Sequence, residues 1–99
     1  MSKRERQSEQ NIEIRLSNIK TQINLVYNCF DERVPLHNLD TMAESLHKNF
    51  IKVTTNDILL GLKQGAFGKY GIPFKLNVMS LGRFIYKHLE DKQKAINKY

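Results

Sequence analysis

The sequence predicts an all-α protein, a small compact four-helix domain with a divergent helix-turn-helix-like C-terminal half. Three observations predict it. Apolar residues recur at spacings of three and four in four separate stretches, which marks one buried face of an amphipathic helix each time. Between the stretches stand Pro, Gly or short polar residues that end or cap helices. The 99 residues, 40% hydrophobic and 26% charged, suit one globular domain whose core holds about ten to fifteen large apolar side chains.

Ile12, Leu16, Ile19, Ile23, Val26 and Phe30 form the first stripe and predict a helix over 11–29. Ile14, Leu25 and Tyr27 fall beside it and widen it. Such width predicts partners on two sides, and a homodimer through this helix is one way to cover it. Cys29, among Val26, Tyr27 and Phe30, is expected to be a buried structural thiol. Pro35 lacks an amide hydrogen and holds Val34 extended, so the helix stops before it.

Leu39, Met42, Ala43, Leu46 and Phe50 predict a second helix over 39–49, capped by Asn38 or Asp40. Thr54 opens a third over 55–67, with Asp57 standing where a capping box usually has Glu. Ile58, Leu59, Leu62, Ala66 and Phe67 are its apolar side. Gly61 and Gly65 each cost about 1 kcal/mol against Ala inside a helix. They predict a neighbouring helix passing close; the alternative is a helix that ends near Gly65. Gly68 is suited to a left-handed C-cap. Tyr70-Gly71 and Pro73 mark turns, with a short extended piece or small hairpin expected over 72–76. Asn77 caps a fourth helix over 78–92, with Val78, Leu81, Phe84, Ile85 and Leu89 on its apolar side. Phe50, Ile58, Leu62, Phe67, Leu81, Phe84, Ile85 and Leu89 are the expected core. Residues 1–10 and 93–99 are expected to be a mobile N-terminal tail and a frayed C-terminal one, leaving a single domain over 11–92.

The net charge of +6 is unevenly placed. Residues 1–51 carry seven basic and seven acidic groups, whereas residues 52–99 carry nine basic against three acidic. The whole excess therefore lies in the second half, where a polyanion would be attracted. A merely solvated basic surface, or one that meets an acidic protein, would have the same composition. No run approaches the roughly 18 apolar residues of a membrane helix. The N-terminus lacks the apolar stretch of a secretory signal. The single cysteine suits a reducing compartment, so a cytoplasmic setting is expected.

Chemistry-bearing constellations are weak. His37, His47 and His88 have no helical spacing to one another, and tetrahedral zinc wants four converging ligands. Asp31-Glu32 and Glu90-Asp91 are sequence neighbours whose side chains diverge. The segment Gly65-Ala66-Phe67-Gly68-Lys69-Tyr70 lacks the glycine spacing and the Ser/Thr of a phosphate-binding loop. A non-catalytic protein without cofactor or metal is expected. The best-organised functional stretch is 54–91. Its last helix carries Asn77, Ser80, Arg83 and Lys87, the last two on one side, and the connection before it adds Lys69 and Lys75. These six residues are the expected nucleic-acid contacts, Arg83 reading a base and the lysines meeting phosphates. The rival is a structural or adaptor role in which the same basic half binds an acidic protein surface.

The stretch VTTNDILLGLKQGAFGKYGIPFKLNVMSLGRFIYKHLEDKQ resembles small proteins of phages and mobile elements in the Bacteroidetes. Ile58, Gly65, Gly68, Tyr70, Gly71, Leu76, Asn77, Phe84, Ile85 and Leu89 carry the resemblance, over about residues 54–92. It implies a phage-like setting, with a role in replication or virion assembly, and brings no catalytic residue with it.

Overall fold

The structure, a computed structural model, describes residues 3–97. It contains helices α1 (Lys3–Cys29), α2 (Leu39–Asn49), α3 (Thr55–Ala66) and α4 (Val78–Asn97), with a single 3-10 turn at Leu36–Asn38. No strand occurs among the described residues, so the small hairpin expected as one alternative over 72–76 does not form. α2 matches its expected span and α3 is one residue shorter. α1 and α4 exceed theirs, running on through residues 3–10 and 93–97, which are rich in good helix formers. The loose tails expected at 1–10 and 93–99 fall partly on residues 1–2 and 98–99, outside the described residues.

Thr54 and Asp57 show why α3 starts where it does. The Thr54 hydroxyl accepts the Asp57 amide at 3.2 Å, in extended backbone, satisfying a donor the first turn leaves free. The Asp57 carboxylate reaches back to the Thr54 hydroxyl, which donates to Oδ2 at 3.1 Å, and also meets Lys92 and His88 on α4. α3 ends in a Schellman motif. Lys69 N–H donates to Gln64 O and Gly68 N–H to Gly65 O, both at 3.1 Å, with Gly68 at φ +83°. α1 ends the same way around Asp31 at φ +56°, with Glu32 N–H donating to Tyr27 O and Asp31 N–H to Asn28 O. α2 has no side-chain cap. The Asn38 side chain makes no such bond, and the Asp40 carboxylate pairs with Lys20 at 2.5 Å. The 3-10 turn supplies the entry in their place, Asn38 N–H donating to Pro35 O.

The glycine pair in α3 does mark a close approach. A Cβ on Gly61 would stand 2.8 Å from the Ile85 Cα, and one on Gly65 would enter the Phe84 ring. The contacts 57 to 88 and 92, 61 to 85, and 65 to 84 run in opposite senses, so α3 and α4 are antiparallel. α1 packs on α3 and α2, and α2 reaches α4. The shared core is Ile19, Ile23, Val26, Tyr27, Met42, Ala43, Leu46, Ile58, Leu62, Leu76, Leu81, Phe84 and Ile85. Phe50 and Leu89 are half-buried at its margin.

Two expected burials are corrected. Phe67 is 73% exposed, because it follows the last turn of α3 just before the Gly68 reversal and points away from α4. Cys29 is exposed, because the last turn of α1 turns Val26 and Tyr27 inward and leaves Cys29 outside.

Arg15 is an unforeseen structural residue, placed by the sequence pattern on the polar side of α1. It donates to the carbonyl of Val53 at 2.6 Å, the carbonyl of Phe50 at 2.7 Å and His47 Nδ1 at 2.9 Å. One guanidinium thus satisfies carbonyls released by the end of α2 and ties that end to α1.

A candidate nucleic-acid interface at the head of helix 4

The connection 67–77 is pinned at two points and open between them. At its start, Tyr70 stacks on Phe84 at 6.3 Å between ring centroids and donates its hydroxyl to Gln64 Oε1 at 2.6 Å. At its end, Leu76 enters the core and its carbonyl accepts the Tyr27 hydroxyl at 3.1 Å. Burial, with Glu32 nearby, raises the Tyr27 pKa, so this donor keeps its proton. Between the anchors, Gly71 at φ +89° turns the chain, and Ile72 and Phe74 project outward, Phe74 fully exposed. The arch and the first turns of α4 enclose a concavity of about 550 Å³. Tyr70, Phe74, Met79 and Phe84 supply its apolar lining, and Lys75 and Arg83 its charge.

The six residues expected to contact nucleic acid divide into three pairs. Asn77 and Ser80 lie in the concavity but are committed to the helix start. Asn77 Oδ1 accepts the Ser80 amide at 3.0 Å, and the Ser80 hydroxyl donates to the Lys75 carbonyl at 2.5 Å. Lys69 and Lys87 lie outside it, each beside an acid: Lys69 is 3.6 Å from Asp91, with its ammonium 5.7 Å from the Tyr70 ring centroid, and Lys87 is 3.7 Å from Glu90. Lys75 and Arg83 line the concavity together, and neither has an ion-pair partner among the described residues. Sequence reasoning missed Phe74 and Met79. For Phe74 the signal was an aromatic next to a lysine in a Gly/Pro-containing connection, where no periodicity assigns it to the core; Met79, in the first turn of α4, carried none.

A polar chain, buried at Asp57 and His88, links α3 to α4. Asp57 Oδ2 accepts from Lys92 at 2.9 Å, and Asp57 Oδ1 lies 3.0 Å from His88 Nε2. His88 Nδ1 lies 3.2 Å from Gln64 Oε1, the oxygen that also meets Tyr70. Bonds from Lys92 and then His88 hold the Asp57 carboxyl at a pKa of about 2, against a burial penalty that acts the other way. Facing an ionised carboxylate, His88 Nε2 carries a proton. Both ring nitrogens are engaged within the protein. The chain acts as a strut. It ties the first turn of α3 to α4 and, through Gln64, fixes Tyr70 at the edge of the concavity.

A second concavity of about 610 Å³ lies on the other side of the 75–77 segment, lined by Arg33, Glu32, Tyr27 and Met42 among others. Lys75 borders both. Among the described residues, no group of three or more His, Cys, Asp or Glu is placed to hold a metal ion. No helix of the described residues is long and apolar enough to cross a membrane. The comparisons with known proteins returned no match: no family model, no curated protein and no solved structure matches this chain.

Proposed function

We propose that this helical protein is a non-catalytic, low-specificity nucleic-acid-binding module that works through its basic C-terminal half in a cytoplasmic setting. The supporting observation is the concavity at the head of α4, where two cations without acidic partners, Lys75 and Arg83, stand beside Tyr70 and Phe74. Phosphate contacts need unpaired cations, and low sequence specificity follows where few side chains are free to read base edges. Asn77 and Ser80 are spent on the cap, which leaves Lys75 and Arg83 as the main phosphate contacts and Lys69 and Lys87 as flanking charge. The resemblance to small phage and mobile-element proteins is compatible with such a role. Fluorescence anisotropy with labelled DNA and RNA, at low and at high salt, tests the reading. Binding that weakens steeply with salt is expected. Absence of binding at low salt and micromolar protein would discard it in favour of an adaptor that binds an acidic protein.

The exposed side of α1 supports a second element of the proposal, a homodimer. Ile14 and Leu25 are 59% and 50% exposed and lie three turns apart on one side of α1. Pairing two copies there would cover both and present two basic faces to one polymer. Light scattering on the full chain would return twice 11.6 kDa for such a dimer; a monomer mass at high concentration would remove this element and leave the binding proposal intact.

A further inference from the structure

We infer that the concavity at the head of α4 takes single-stranded nucleic acid in preference to duplex, with an unpaired base stacked on Phe74 and the flanking phosphates on Lys75 and Arg83. This rests on the proposed nucleic-acid binding and specifies the form of the polymer.

Three observations carry it. First, the face of α4 that would enter a major groove is obstructed. The arch 70–75 lies beside the first turns of α4, and the bond from the Ser80 hydroxyl to the Lys75 carbonyl ties it there. A reading helix must bring its N-terminal residues to base edges, and here Asn77 and Ser80 are turned into the cap. Second, Phe74 is fully exposed although it is the largest apolar side chain of the arch, while both ends of the arch are anchored. A planar ring held out by an anchored backbone is a stacking platform, and every base offers it a π-face. Third, the charge beside it fits. Lys75 is the next residue, and Arg83 shares the concavity. A polymer that alternates planar rings with phosphates matches that alternation of aromatic and cation. An acidic peptide would use the cations and leave Phe74 in water. A concavity of about 550 Å³ is within the range of small-ligand clefts, about 300–1,000 Å³, and admits a splayed base and its sugar; a base inside a duplex cannot reach it.

The test is anisotropy on the full chain with four labelled probes: an oligothymidylate of about 12 nucleotides, an oligouridylate, an abasic strand of the same length, and a duplex of that length. The expected order is oligothymidylate and oligouridylate tightest, with the abasic strand and the duplex weaker. Phe74→Ala should weaken the two base-bearing single strands roughly 5- to 150-fold, the loss of one stacked base, and leave the abasic strand unchanged. Phe74 is solvent-exposed, so the variant keeps its fold, and an unchanged circular dichroism spectrum confirms that. Lys75→Ala combined with Arg83→Ala should weaken all four probes. Equal affinity for the four probes with no effect of Phe74→Ala would overturn the inference while leaving nucleic-acid binding standing. Failure to bind any probe would overturn both. An oligoglutamate that binds with the same dependence on Phe74 would overturn the inference in favour of an acidic protein partner. A difference between oligothymidylate and oligouridylate would show that the 2′-hydroxyl or the thymine 5-methyl group is sensed and would support the inference in either case.

Discussion

Asp31 and Asp57 are acidic residues in opposite circumstances. Asp31 holds the left-handed position that ends α1, a conformation that costs a residue with a Cβ roughly 1–2 kcal/mol. Its charge also lies at the negative end of the helix dipole. Asp31→Gly removes both penalties, offset in part by the chain entropy that Gly adds to the unfolded state, so a net gain of about 1 kcal/mol is expected. Urea denaturation would check it, and a lower midpoint would refute it. Asp57 is buried, and its carboxyl is held at about 2 by Lys92 and His88. A depressed acid contributes its stability above the unfolded value of 3.8. That contribution is lost as the pH falls from there toward 2, and it is worth about 2 kcal/mol. Asp57→Asn should cost about that amount at neutral pH and flatten the stability curve between pH 4 and 2. An unchanged acid limb in thermal melts would show that the Lys92 and His88 contacts carry no such energy.

The helices were legible where periodicity and local chemistry agree. The stripe Ile19, Ile23 and Val26, the Thr54 cap, the Gly68 reversal and the glycine pair facing α4 all follow from residue type and spacing. What was not legible depends on contacts distant in sequence. Arg15 looks like any polar-face residue until the end of α2 comes within its reach. Phe67 continues the apolar stripe of α3, yet the helix ends one residue before it. For the interface, position in the basic half identified Lys75 and Arg83. Residue type alone could not separate them from Asn77 and Ser80, whose polar atoms serve the cap. Two predictions belong at this scale. Gly61→Ala puts a Cβ 2.8 Å from the Ile85 backbone, so α3 and α4 must part. The cost of overpacking, about 1–3 kcal/mol, exceeds the roughly 1 kcal/mol gained in helix propensity, and denaturation should show a net loss. His47 accepts from Arg15 through Nδ1, and burial, with Arg15 and Lys48 close by, lowers its pKa below 6.5. A base depressed in the fold is protonated first in the unfolded chain. Stability should therefore fall as the pH drops below about 6.5 and stop falling below the lowered folded value. His47→Gln should remove that slope in melts between pH 7 and 5.

The whole molecule is flat, 45 × 42 × 16 Å, and its charge is sorted more finely than the net +6 implies. Each acid of the second half neutralises one lysine: Asp57 meets Lys92, Asp91 meets Lys69, and Glu90 meets Lys87. Lys52, Lys63, Lys75, Arg83 and Lys94 are the described cations of that half without an ion-pair partner, and of these only Lys75 and Arg83 line a common concavity. On this distribution, removing different cations should have unequal effects. For a single strand the slope of log affinity against log salt is about −0.7 for each phosphate neutralised, so Lys75→Ala and Arg83→Ala should each reduce it by about that amount. Lys69→Ala and Lys87→Ala should change it less, because Asp91 and Glu90 already offset part of their charge. The converse variants are the sharper check. Glu90→Gln with Asp91→Asn frees Lys69 and Lys87 for phosphate, which should tighten binding several-fold and steepen the salt slope. If affinity and slope stay unchanged in that double variant, Lys69 and Lys87 lie off the path of the polymer, and the interface is confined to the arch and the first turns of α4.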